Sequence, residues 1–158
     1  MKCIIVIINL VLFFNCNNCK IDFESTGLKN YTIGISLEEL KKSNPDLIDK
    51  FNSKMVENVH VYSLVEKCLI LGEQKEVTYN FAFVNNKLEA YVFNINAGRK
   101  ISFYRKFIEK SKKNNDFING TGTSFLKKEN DCEKFLRMNS GKSEIVIFGG
   151  ISRLDYYW

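Results

Sequence analysis

The sequence predicts an α+β fold in which short helices pack on one face of an antiparallel sheet, in the order ααβββ followed by a helix and two or three further strands. Three observations carry this expectation. Helical and strand periodicities follow one another without the regular strand–helix–strand alternation of a parallel sheet. Asn85-Asn86 sits between two alternating apolar runs as a two-residue hairpin turn. Residues 99–113 then return to helical spacing with a strongly basic outer arc.

Taken in order, residues 1–15 read as an export signal. Lys2 precedes an apolar core, Cys3–Ile8 and Leu10–Phe14, that is too short to span about 30 Å of hydrocarbon. Cys16 stands where cleavage would fall and is the expected lipidation site, its thiol taking a diacylglycerol and becoming the new N-terminus. Simple secretory cleavage and an uncleaved anchor are the alternatives. Residues 16–30 are polar and patternless and are expected to form a tether, which leaves 31–158 as a single globular domain.

Ser36-Leu37-Glu38-Glu39 is a capping box, and Leu37 and Leu40 give the helix it starts an apolar stripe. That helix must stop by Asn44, because Pro45 pushes the residue before it out of the helical region. Asn44 and Pro45 then open a second short helix, along which Leu47, Phe51 and Met55 recur at i, i+4 and i+8. From Val59 the pattern becomes β-branched and apolar until Gly72. The Asn85-Asn86 turn is expected to pair Phe83 with Leu88, Phe81 with Ala90 and Tyr79 with Val92, all six on one face. After the basic helix, Glu133 to Met138, Glu144 to Phe148 and Ile151 to Tyr157 read as strands, with Gly149-Gly150 turning the last pair. Residue identity between the two halves of the chain is too poor to establish a duplication.

The motif Tyr31-Thr32-Ile33-Gly34-Ile35-Ser36-Leu37-Glu38-Glu39-Leu40-Lys41-Lys42 resembles the opening of the BamE (SmpA/OmlA) outer-membrane lipoproteins and the related β-lactamase-inhibitor-protein fold. The Gly-x-Pro that follows the first helix in that family appears here only as Asn44-Pro45. The resemblance implies binding to other envelope proteins rather than catalysis.

Composition and motifs narrow the chemistry. A net charge of +5 over 158 residues is mildly basic and well short of a dedicated nucleic-acid binder. Gly141-Lys142-Ser143 lacks the earlier glycine and the following helix of a phosphate loop, and Gly120-Thr121-Gly122 lacks the strand and third glycine of a dinucleotide site, so no nucleotide is expected. The single histidine, His60, has no partner at triad or zinc spacing. Catalytic, cofactor and metal residues are therefore not assigned.

Export to an oxidising compartment permits a Cys68–Cys132 bridge worth about 4 kcal/mol on the chain-entropy model, the alternative being two buried thiols. Arg105, Lys106, Lys110, Lys112 and Lys113 form a cationic arc that either contacts an anionic surface or acidic partner or is simply solvated. The functional expectation is an exported, lipid-anchored, non-catalytic protein-binding module of the cell envelope, in the outer membrane or periplasm, with an envelope or secreted protein as partner and the membrane reached through the N-terminal lipid. An immunity or inhibitor protein against a secreted enzyme is one alternative, and a secreted hydrolase another.

Overall fold

The computed structural model describes residues 19, 21–52, 58–115, 117–119, 124–129, 131–140 and 144–154. The export signal, Cys16, the glycine motifs at 120–122 and 141–143 and the aromatic tail 156–158 lie outside the described residues.

The first helix, α1 (Leu37–Ser43), starts on the expected capping box. Ser36 Oγ accepts from the Glu39 N–H at 3.2 Å, and Glu39 Oε2 accepts from the Ser36 N–H at 2.8 Å. The Ser36 N–H, and then the Ser36 hydroxyl donating to the same oxygen at 2.9 Å, hold the Glu39 carboxyl below the usual carboxylate range. The helix closes on Asn44, whose backbone N–H and side-chain amide both donate to the Leu40 carbonyl, at 2.9 and 3.0 Å.

The expected second helix is instead a strand. β1 (Ile48–Asn52) runs antiparallel to β2 (Val59–Ile70), with Ile48 opposite Ser63 and Asn52 opposite His60. A two-turn segment has too few internal bonds to hold a helix by itself, whereas β2 would present a bare edge of backbone donors and acceptors without this partner. The long strands β3 (Glu73–Val84) and β4 (Lys87–Gly98) follow, then α2 (Ile101–Asn115). The chain continues through β5 (Ile118–Asn119), β6 (Ser124–Glu129), β7 (Cys132–Ser140) and β8 (Ile145–Ser152).

All eight strands form one antiparallel sheet in the order β1-β2-β3-β4-β8-β7-β6-β5. Each half of the chain is thus one helix and a four-stranded meander, and the last strands of the two meanders pair at the centre. The expected ααβββ arrangement of helices on a small sheet is corrected to a sheet-dominated fold with two α-helices among the described residues.

Asn85 and Asn86 turn the β3–β4 hairpin with φ of 48° and 63°, the left-handed pair that a tight hairpin needs. Phe83 pairs with Leu88 as expected, but an irregularity between Ala82 and Phe83 inserts an extra residue on β4. Beyond it Ala82 faces Ala90, Phe81 faces Tyr91 and Tyr79 faces Phe93. A one-residue slip reverses which side chains of a strand face inward. Here it exchanges Ala90 and Val92 for Tyr91, Phe93 and Ile95 on the core face, so the larger aromatic area is buried.

Residues 21–30, expected as a tether, are packed into the domain: Ile21, Phe23, Thr26 and Leu28 are buried. The Phe23 ring meets Phe93 edge-on at 4.7 Å between centroids and lies 6.2 Å from Phe107 of α2. Tyr31 stands edge-on to Tyr79, Phe81 and Tyr91, with centroids 5.3, 4.7 and 5.4 Å away. This segment is therefore the middle of an aromatic core, between the sheet and α2. Apolar spacing across residues 21–31 is irregular because the segment is neither helix nor strand apart from the short 3₁₀ turn Glu24–Thr26.

Gly149 and Gly150 do not turn the chain; β8 runs straight through them. A Cβ on Gly149 would lie 2.4 Å from Phe93 Cζ, and one on Gly150 would lie 2.2 Å from the Tyr91 carbonyl oxygen. The pair lets the central strands approach and leaves room for the Phe93 ring over bare backbone.

Two measurements check this packing. Gly149→Ala forces the Phe93 ring to move, and urea denaturation is expected to show a loss of about 1–3 kcal/mol. Ser36→Ala removes one half of the capping box and is expected to cost about 1 kcal/mol in the same assay.

Candidate functional site

Two surfaces are built by this fold, one on each side of the sheet. Side chains alternate along a strand, so Ser63, Val65 and Leu69 of β2 share one face, and the register places Ile48 of β1 beside them. That face is opposite the one covered by α2 and the 21–31 segment. Ile48, Val65 and Leu69 are 53%, 50% and 68% exposed, and they are three of the four large exposed apolar residues among those described. Val59, Val61, Ala82 and Ala90 continue the same face as a small buried cluster with Val84 and Leu154 against it. Thr78, Asn80 and Asn94 flank the stripe, half-buried and polar. The exposed Lys67 stands between Val65 and Leu69 on the same face, opposite Glu76, so the patch joins apolar side chains to a charged pair of strand neighbours, a mixed composition that contact surfaces also show.

On the other side, Lys106, Lys110 and Lys113 of α2 are exposed and spaced along one edge of the helix. They border an open groove of about 820 Å³, closed opposite by residues 24–27 and by Leu69, Leu71 and Gly72 at the β2–β3 end, with Glu24 and Glu109 also in its wall, so Leu69 borders both this groove and the apolar stripe. Leu71 adopts φ of 51°, a conformation that costs a non-glycine residue on the order of 1 kcal/mol, and its N–H donates to the Thr26 carbonyl at 3.0 Å. Of the remaining members of the predicted cationic arc, Arg105 is exposed and Lys112 lies over the Phe125 ring at 4.1 Å. The structure therefore divides the arc, leaving three lysines on the groove and using Lys112 to cover an aromatic ring.

The cysteines pair differently from expectation. Cys132 is joined to Cys19, with Cα atoms 5.8 Å apart, and Cys68 is a buried free thiol. The predicted Cys68–Cys132 bridge is corrected: Cys132 opens β7 on one half of the sheet, and Cys68 lies on β2 in the other half, with β3, β4 and β8 between them. Nothing local marks Cys19 as the partner, because it sits in a polar stretch with the look of a tether. A loop of 113 residues closed by this bridge removes about 5 kcal/mol of denatured-state entropy on the chain model.

Asp131, Cys19 and Cys132 place three ligand-type atoms within 4.8 Å of one another, but sulfurs joined in a disulfide offer no thiolate to a metal. Around Cys68, the thiol approaches Glu66 Oε1 at 3.5 Å, Glu66 pairs with Lys29, and the Tyr79 hydroxyl accepts from the Lys29 N–H at 3.1 Å. Burial first, and then the Glu66 carboxylate, push the Cys68 thiol up to about 11. This cluster protonates its one nucleophile instead of activating it. His60 is exposed at the start of β2, opposite Phe83.

Comparison of the chain with protein-family profiles, with curated proteins and with solved structures finds no match. Among the described residues no helix is long and apolar enough to cross a membrane, which leaves strands that cross as a barrel unaddressed.

The state of Cys68 is directly measurable. With the thiol raised to about 11 from 9.0, alkylation of the folded protein at pH 8 is expected to run about 100-fold below that of the denatured chain. The sign for stability follows: the protonated folded form is favoured below pH 9, and that contribution is lost as pH rises toward about 11. Equal alkylation rates in the folded and denatured states would contradict the buried position of the thiol.

Proposed function

We propose that this chain is an exported, lipid-anchored envelope protein that acts as a non-catalytic protein-binding module, with Cys16 as the acylated residue and the helix-free face of the sheet as the binding surface. The observation that carries the binding reading is the collection of Ile48, Val65 and Leu69 on one face of β1 and β2. At 50–68% exposure, a partner that covers these side chains recovers on the order of 1–2 kcal/mol each, a fraction of the ~1.5–3 kcal/mol for complete burial. They stand on paired strands, whose ladder holds the backbone beneath them in one register and so lowers the ordering cost of binding. The resemblance of residues 31–42 to the BamE-type opening supports the same reading.

An immunity or inhibitor role would use the same surface against a secreted enzyme. The stripe suits it equally, because a sheet face can cap an active-site cleft without contributing any chemistry of its own.

Two measurements test the proposal. Intact-mass analysis of the mature N-terminal peptide is expected to show residue 16 at the start with a diacylglycerol adduct, and an unmodified peptide ends the anchor reading. A photo-reactive side chain placed at Val65 is expected to cross-link in cells to one discrete protein, and the same group at Lys87 is not. Val65→Arg should then weaken that complex at least tenfold, the size of a hot-spot contact of about 1.4 kcal/mol. Cross-linking of equal yield from both positions would remove the sheet face as the binding surface.

A further inference from the structure

We infer that the Lys106, Lys110 and Lys113 edge of α2 rests on an anionic lipid leaflet, drawn there by a very short leash. The inference builds on the reading of Cys16 as acylated, and its geometry comes from the disulfide. Cys19 is bound to Cys132 and is thereby fixed to the folded domain. Only Asn17 and Asn18 then separate Cys16 from a fixed point, and a chain of three steps reaches at most about 11 Å.

The exit point is also fixed relative to α2. The Asn115 side chain, on the last residue of the helix, accepts from the Asp22 N–H and donates to the Asp22 carbonyl, each at 2.6 Å. Asp22 is three residues from Cys19, again about 11 Å at full extension. Lys113 and Lys110 lie about 3 and 8 Å from Asn115 along the helix axis, and Lys106 about 14 Å. An acyl chain inserted from Cys16 therefore holds the bilayer surface within a few tens of ångströms of the lysine edge, at an effective concentration that no freely diffusing partner matches.

Charge complementarity selects the leaflet. α2 carries five cations against a single carboxylate, Glu109. In the groove itself the three lysines outnumber the two carboxylates, Glu24 and Glu109. Each exposed lysine within a Debye length of an anionic surface gains roughly fivefold in partition, so three in a row add on the order of 100-fold to an anchor that one lipid group alone leaves reversible. The exposed Ile48, Val65 and Leu69 stripe lies on the other face of the sheet, turned away from the packed side of α2.

Lysine footprinting on the mature protein, with its own N-terminus and reconstituted in vesicles, tests this. Amine acylation at Lys106, Lys110 and Lys113 is expected to slow about fivefold or more on phosphatidylglycerol–phosphatidylethanolamine vesicles relative to phosphatidylcholine, and to recover at high salt. The exposed Lys67 and Lys87, on β2 and β4, serve as internal references whose rates should not change. Equal rates at the α2 lysines on both vesicle types overturn the inference, as does protection that appears only in native envelopes, which would point to an acidic protein. The N-terminal mass from the same sample separates the two readings. An acylated terminus without lysine protection removes the lipid surface and keeps the anchor, whereas protection with an unmodified terminus keeps the surface and removes the anchor.

Discussion

The extra residue on β4, next to the Asn85-Asn86 turn, is the constraint on which the rest of the packing depends. It costs one ladder register and turns Tyr91, Phe93 and Ile95 inward. Phe93 then supplies the surface on which Phe23 and Phe107 meet, and its ring occupies the space that Gly149 leaves open. Tyr91 does the same for Tyr31. Without the slip the core face of β4 would carry Ala90 and Val92, too small to reach either the 21–31 segment or α2.

That aromatic layer explains why the segment before α1 belongs to the domain. Phe23 and Tyr31 are anchored in it, Asn115 clamps the backbone between them and Cys19, and the Cys19–Cys132 bridge fixes the upstream end. A polar stretch with two aromatic residues thus acts as the third layer over the sheet. The two faces of the sheet therefore differ in chemistry, with the α2 lysines on the covered one and the exposed apolar stripe on the other.

The candidate surfaces were partly legible in the residues themselves. The cationic arc of α2 follows directly from helical spacing, because charge and periodicity are local properties. Its division was not legible: whether Lys112 covers Phe125 or faces the groove depends on β6, which pairs with a strand distant in sequence. The apolar stripe is not legible for a similar reason, since Leu47, Phe51 and Met55 give this segment helical spacing and only the β1–β2 register sets Ile48 beside Val65. Cysteine pairing is the clearest case. An oxidising compartment permits Cys68 with Cys132, but pairing is decided by which Cα atoms come within bridging distance, and the sheet order puts three strands between Cys68 and β7.

What the sequence by itself determined is everything governed by short-range chemistry: the capping box at Ser36 and Glu39, the stop at Asn44, the Asn85-Asn86 turn, the pairing of Phe83 with Leu88 and the amphipathic span of α2. Backbone sterics and bonds closed within a few residues decide these features. Tertiary structure alone decided that residues 48–52 are a strand, that β4 slips by one residue, that Gly149-Gly150 lies inside a strand and that Cys19 is buried and bridged to β7. Each of these is a competition between near-equal local options, and it is settled by the large aromatic area that only the assembled sheet can bury.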